Sequence, residues 1–304
     1  MSILVLGSFM MDLVVRTKRA PEAGETIFGE SFGRFPGGKG ANQAVAAARL
    51  GGKVTMAGKL GKDDFGDEFL TVMREEDIDT RHILSDDMNS TGIGSVVLDE
   101  SGQNRIIVVP GANLNYTPNE VERIETVIQS ADMLIMQLEM DMATVEKAAS
   151  IAVRHGVPVI LNPAPARLLG DALLSNITYL TPNESELELL TGIKPTNVDE
   201  IWRAAQVLLR RGVKVVIVTL AEKGAIICDQ TGYRLVEGFT VMPLDTVAAG
   251  DSFNGALAVE LIHGKSVADA VRFANAVGAL TVTKEGAIPS LPFKEEVIRF
   301  MSGK

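Results

Sequence analysis

The sequence predicts an α/β fold: a doubly wound, mostly parallel sheet flanked by helices, with a small β-sheet lid. Three observations lead there. Apolar runs of strand length recur along the chain, helical patterns lie between them, and two β-rich stretches interrupt the alternation. A strand reads as a near-continuous apolar run when both of its faces are buried, as in a parallel sheet covered by helices. Residues 3–6 are the first such run. A helix follows over 41–50, and Gly51 and Gly52 end it. Strand 54–60 and helix 65–76 repeat the unit. Further apolar runs at 133–136, 157–161 and 215–220 alternate with helical segments such as 142–154 and 198–211.

The interrupting stretches, at about 13–36 and 92–112, carry no helical pattern. The first alternates over 27–32, and the second has a turn at Asp99-Glu100-Ser101-Gly102. We expect them to pair as a small sheet over one end of a single domain spanning all 304 residues. Such a lid excludes water from a reaction it covers. Its open face is a natural homodimer surface.

Composition narrows the function classes. A hydrophobic fraction of 46% is enough for a substantial core. A net charge of −10 argues against nucleic-acid and anionic-membrane partners, which would repel it. Anionic small molecules stay in play, since a local nest of backbone amides can hold a phosphate. The apolar start at 3–11 has no basic residues ahead of it and is interrupted by Asp12, so it does not read as a signal peptide. No apolar run reaches membrane-helix length. The single cysteine, Cys228, reads as a buried hydrophobe and fits a reducing, cytoplasmic location. His82, His155 and His263 lack metal-ligand spacing.

The segment Leu244-Asp245-Thr246-Val247-Ala248-Ala249-Gly250-Asp251-Ser252-Phe253-Asn254-Gly255 carries the most chemistry. A small-residue turn lets several N–H groups converge at a helix N-terminus, where the dipole favours an anion. Asp251 stands beside that nest, as phosphoryl transfer to a hydroxyl requires; its bland alternative is a helix cap. Pro36-Gly37-Gly38-Lys39-Gly40-Ala41-Asn42-Gln43 is a second glycine-rich helix entry. It nearly spells a P-loop, but Gly40 stands where the magnesium-binding hydroxyl belongs. Its amides, ammonium and carboxamide suit a polyhydroxylated sugar. Asp12, after the first strand, and Glu139, after the run 133–136, are expected at the carboxyl edge of the sheet, where open α/β folds bind ligands. Asn183 reads either as a cap with Glu186 as its capping-box partner, or as a phosphate contact with Glu186 serving hydrated Mg²⁺. The turn Thr219-Leu220-Ala221-Glu222-Lys223-Gly224 could edge a nucleotide.

With both glycine-rich segments present, and with Asn162-Pro163-Ala164-Pro165-Ala166-Arg167 and Thr181-Pro182-Asn183-Glu184 between them, the chain resembles the ribokinase family of carbohydrate kinases, nearly end to end. The resemblance implies ATP-dependent phosphorylation of a pentose at its 5-hydroxyl. It makes Asp251 the base and Ala248, Ala249 and Gly250 the anion hole. It assigns the sugar to Asp12, Gly38, Lys39, Gly40, Asn42 and Glu139. Asn183, Thr219, Leu220, Ala221, Glu222, Lys223, Gly224, Gly250 and Asn275 would line the ATP site, with Glu186 for Mg²⁺. It also implies a monovalent cation, usually K⁺, held mainly by carbonyls of Asp245, Val247, Thr281, Lys284, Gly286 and Ser290. One residue departs from the pattern. Met10 stands where such kinases often carry an asparagine that can contact the 2-hydroxyl, which leaves both ribose and 2-deoxyribose as acceptors. Kinases for a nucleoside, fructose or another sugar, and a catalytically silent sugar- or nucleotide-binding protein, are the alternatives. A dinucleotide-dependent oxidoreductase shares the fold class but not its glycine fingerprint.

Overall fold

The computed structural model describes residues 1–303. The chain starts in the middle of its main sheet with β1 (Ser2–Leu6), then crosses into a separate sheet as β2 (Met10–Thr17) and β3 (Ser31–Gly37). It returns through α1 (Lys39–Arg49), β4 (Lys53–Gly61), α2 (Asp64–Glu75) and β5 (Asp79–Asp86). A second excursion, β6 (Gly92–Asp99) and β7 (Asn104–Val109), ends in the 3₁₀ turn Gly111–Asn115. Alternation then resumes with α3 (Pro118–Arg123), α4 (Glu125–Ser130), β8 (Met133–Met136), α5 (Met142–Arg154), β9 (Val159–Leu161), α6 (Asp171–Leu174) and β10 (Tyr179–Leu180). Helices α7 (Glu184–Thr191) and α8 (Val198–Arg210) lead to β11 (Val215–Thr219) and the hairpin β12 (Gly224–Asp229) and β13 (Gly232–Glu237). The chain closes with α9 (Ala249–Ile262), α10 (Val267–Thr281) and α11 (Lys294–Met301).

The main sheet has nine strands in the order β13-β12-β11-β10-β9-β8-β1-β4-β5. Only the pairings that involve β12 are antiparallel. Both faces are covered, and β1 shows why: Ile3 and Val5 belong to one apolar cluster, Leu4 and Leu6 to the other. The first cluster takes in α1, α9 and α10, and the second takes in α5, α7 and α8. Strand order reverses between β8 and β1, so a crevice opens at their carboxyl ends.

The smaller sheet has the order β3-β2-β6-β7, with β2 and β6 parallel. Its strands come from the two helix-free stretches, with different limits. Strand β2 begins at Met10, so Asp12 lies inside this sheet and not in a loop following β1. Strand β3 begins at Ser31, which leaves the alternating residues 27–30 outside it. The second stretch runs at its end into the 3₁₀ turn. In the main sheet, the expected run 157–161 shortens to β9 because Pro158 has no N–H to give, although its carbonyl still accepts from Leu134.

Candidate active site

The site is built around the start of α1. No side chain of its own caps that helix and no acidic residue sits in its first turn. Its N–H groups are satisfied from elsewhere. Lys39 N donates to Glu139 Oε2 at 3.0 Å, Gly40 N to Ser8 Oγ at 3.3 Å, and Ala41 N to Ser8 O at 3.0 Å. The Ser8 hydroxyl in turn donates to Glu139 Oε2. Glu139, in the loop after β8, thus serves as a cap contributed from a hundred residues away. Such closeness needs glycine: a Cβ on Gly40 would lie 2.4 Å from Ser8 N, and Gly38, at φ 89°, would meet Met10 N at 2.6 Å.

Helix α9 delivers Asp251 to the same place. Ala248, in the left-handed region at φ 61°, turns the chain into the helix, and no side chain caps its N-terminus. Ala249 N donates to Thr246 O at 3.5 Å, which leaves the Gly250 and Asp251 amides without a protein partner among the described residues. Asp251 is not the cap. It is only 6% exposed, and its Oδ2 accepts from Asn42 Nδ2 while Oδ1 accepts from Gln43 Nε2, both at 2.9 Å. One turn later a Cβ on Gly255 would lie 2.8 Å from the Gln43 carbonyl oxygen, so α9 and α1 cross in backbone contact. Lys39 is held above the ordinary lysine range, first by Asp251 and then by Glu139 and Glu186, against the cost of its burial.

Asp12 reaches the site from β2, flanked by two glycines of neighbouring strands. A Cβ on Gly94 would lie 2.4 Å from its Oδ1, and one on Gly37 3.2 Å from its Oδ2. Burial, reinforced by Glu139, pushes its carboxyl up to about 6. Met10, two residues earlier on the same strand face, is buried.

A second corner gathers the residues assigned to the nucleotide. Asn183 bridges to Thr219, and Thr219 N donates to Pro182 O at 3.0 Å. The turn from Leu220 through Ala221, Glu222 and Lys223 to Gly224 lies against Gly238, whose Cβ would meet Glu222 O at 2.4 Å. Asn275 Nδ2 donates to the Val236 and Glu237 carbonyls beside that turn. Asn183 and Glu186 form a complete capping box, so Glu186 Oε2 is engaged by Asn183 N at 2.8 Å. Burial raises the Glu186 carboxyl, while Lys39 works against that rise.

Among the residues assigned to a monovalent cation, Asp245 is in direct contact with Val247 and Gly286: it accepts from Val247 N at 3.0 Å and from Gly286 N at 2.9 Å, joining two loops. Ser290 is buried and donates to Ala287 O. The side chains of Thr281 and Lys284 turn elsewhere, Thr281 to Ser252 and Lys284 to Glu296. Four residues outside the predicted set prove central: Ser8, Gln43, Gln137 and Asn162, all buried. For Ser8, Gln137 and Asn162 the signal was a polar residue just past the carboxyl end of an apolar run; Gln43 lies inside the glycine-rich helix entry.

A glycine-rich helix entry, a buried carboxylate at the start of a helix and a second carboxylate within a small sheet are what the family resemblance implies for a carbohydrate kinase. The model of the pfkB family carbohydrate kinases matches residues 1–294, and the chain belongs to that family. Its relatives include the ribokinase of Haemophilus influenzae, 41% identical over 300 residues (99% of this chain and 98% of that protein). The deoxyribokinase of Salmonella typhi is 35% identical over 303 residues, 99% of both. Among solved structures, Arabidopsis thaliana ribokinase complexed with ribose and ATP superposes with a TM-score of 0.93 at 32% identity, covering 99% of this chain and 98% of that one.

Proposed function

We propose that this chain is an ATP-dependent ribokinase, converting D-ribose to ribose 5-phosphate. The observation that carries the proposal is the placing of Asp251: its carboxylate is held by two amides at the open N-terminus of α9. The pentose binds between Asp12 of the small sheet and Lys39, Asn42 and Glu139 of the main domain. Asn42 Oδ1, buried without a protein hydrogen-bond partner among the described residues, is available to a sugar hydroxyl. ATP lies along Asn183, the turn 219–224 and Asn275, with its terminal phosphate over Ala248, Ala249 and Gly250. Asp251 accepts the proton of the 5-hydroxyl as that oxygen attacks in line, and the α9 amides stabilise charge on the moving phosphoryl group.

Two ions fit the donors present. Glu186 keeps one carboxylate oxygen outside its capping box, and the described residues hold no cluster of three metal-ligating side chains. That suits a hydrated Mg²⁺ carried largely by phosphate oxygens. The loops joined by Asp245 offer carbonyls of the kind K⁺ prefers. When bound, the ions neutralise phosphate charge next to the α9 amides. No helix of the described residues is long and apolar enough to cross a membrane. We place the enzyme in the cytoplasm, acting on small molecules and not on nucleic acid or membrane.

A second acceptor, 2-deoxyribose, is favoured by one observation: Met10 is buried on the strand face that carries Asp12. A thioether is a poor partner for the 2-hydroxyl, and leaving that group unpaired costs about 1–3 kcal/mol. Coupled measurement of ADP release, with and without K⁺, compares ribose, 2-deoxyribose, fructose and a nucleoside. Ribose is expected to give the highest kcat/KM, with K⁺ raising it. Saturable ribose binding without ADP release would mean a silent binding protein, and a preference for 2-deoxyribose would exchange the two acceptors.

A further inference from the structure

The carboxylate of Asp251 only accepts hydrogen bonds when ionised, and that fixes two carboxamides in succession. Gln43 must turn its Nε2 toward Asp251 Oδ1, 2.9 Å away. Its Oε1 then faces the other way and accepts from Gln137 Nε2 at 2.7 Å. Gln137 must therefore donate, and its own Oε1 is left without a protein partner among the described residues. That oxygen lies against Gly7, where a Cβ would sit 2.2 Å from it. The same Gln43 Nε2 also reaches Asn162 Oδ1 at 3.3 Å. Gln43 and Gln137 are essentially inaccessible to solvent. They occupy the crevice between β1 and β8, where the strand order reverses.

Packing alone does not ask for a glutamine at 137. Its amide stays buried with one end bonded and the other bare, whereas an apolar side chain there would carry no such cost. We propose that Gln137 and Gln43 form a directional amide relay that positions Asp251: Gln137 sets the amide plane of Gln43, and Gln43 holds the base in the rotamer that faces the acceptor hydroxyl. Gln137 does not touch the reacting atoms and is a positioning residue. Lys39 from α1 and Glu186 from α7 are charged groups close enough to Asp251 to feel its field. Glu139, two residues from Gln137, accepts its hydrogen bonds from Ser8 Oγ and Lys39 N. The relay itself is uncharged, so it orients the base without neutralising it.

This inference rests on Asp251 being the base, and the test separates the two. Gln137→Met keeps length and removes the donor, freeing the Gln43 amide to rotate. The expected result is a kcat about 10- to 100-fold lower, with pentose and ATP KM values within about twofold of the parent. Gln137→Glu adds a readout that lost packing cannot imitate. As a neutral acid the introduced carboxyl can donate to Gln43 Oε1, and as an anion it cannot. The kcat of Q137E relative to Q137M should therefore fall as pH rises from about 6 to about 9. A Q137M variant with unchanged kcat, or a Q137E to Q137M ratio flat across that range, overturns the relay. Should either variant fold poorly, judged by ATP binding in calorimetry, Gln137→Asn takes its place, and parental kcat in that shortened amide has the same adverse meaning. Asp251→Asn is measured in parallel. If it is inactive while the Gln137 variants are unaffected, the relay fails and the base stands. If Asp251→Asn turns over normally, it is the base assignment that fails.

Discussion

Single residues carry the sharpest expectations. Asp251→Asn keeps shape but removes the proton acceptor and turns a donor toward one of the two amides that held the carboxylate, so kcat should drop by roughly 10²- to 10⁴-fold. ATP affinity by calorimetry should change little; turnover at the parental rate would exclude Asp251 as base. Asp12 makes a pH prediction whose sign follows from its raised carboxyl, at about 6 against 3.8 when unfolded. Between those values the folded chain keeps a proton that the unfolded chain has released, so the contribution of Asp12 to stability falls as pH rises through that window. Sugar binding runs the other way. The ionised carboxylate accepts hydroxyl hydrogen bonds on both oxygens, so pentose KM should fall several-fold, on the order of fivefold, as pH rises through about 6. In Asp12→Asn, KM should be high and flat over the same range. Gly94→Ala tests the same pocket sterically, because its Cβ would fall 2.4 Å from Asp12 Oδ1. We expect a higher pentose KM with a largely preserved ATP KM in steady-state assays.

At the scale of elements, the crossing of α1 and α9 joins the two glycine-rich segments into one site. Gly255→Ala inserts a methyl where 2.8 Å separates the built Cβ from both Ala46 Cβ and Gln43 O. Overpacking of that kind costs about 1–3 kcal/mol, which should appear as a lower Tm together with a reduced kcat, since Asp251 moves with its helix. Much of this level was legible in the sequence. Apolar runs gave β1, β8 and β11, and Gly51 and Gly52 marked the end of α1. The hairpin β12–β13 and α10 were not foreseen from pattern, and α9 was read only from its small-residue entry, because it is buried along most of its length and lacks an amphipathic stripe. The residues that bear chemistry stood out through glycine spacing. Gln43, Gln137 and Asn162 acquire meaning only when α1 meets the chain just after β8 and β9, a relation that no one-dimensional period records.

Across the whole molecule, the small sheet turns an unusual surface outward. All six residues of β7 are exposed, and Ile106, Ile107, Val108 and Val109 make a continuous apolar edge; Phe32 is exposed on β3, at the opposite edge of the sheet. An open strand edge of this composition invites pairing. A homodimer through this sheet is our reading, and sedimentation should find a dimer for the parent and a monomer for Ile107→Lys. Since Asp12 lies on the same sheet, loss of the dimer should also raise pentose KM. The two glycine-rich helix starts differ in a way that, on our reading of the site, sets the polarity of the reaction. At α1 the leading amides are already plugged by Ser8 and by a carboxylate of the protein itself. At α9 only Ala249 N is engaged, by Thr246 O, and those of Gly250 and Asp251 are bare. An incoming polyanion is thereby turned away from one doorway and offered a seat at the other, so donor and acceptor cannot exchange sides.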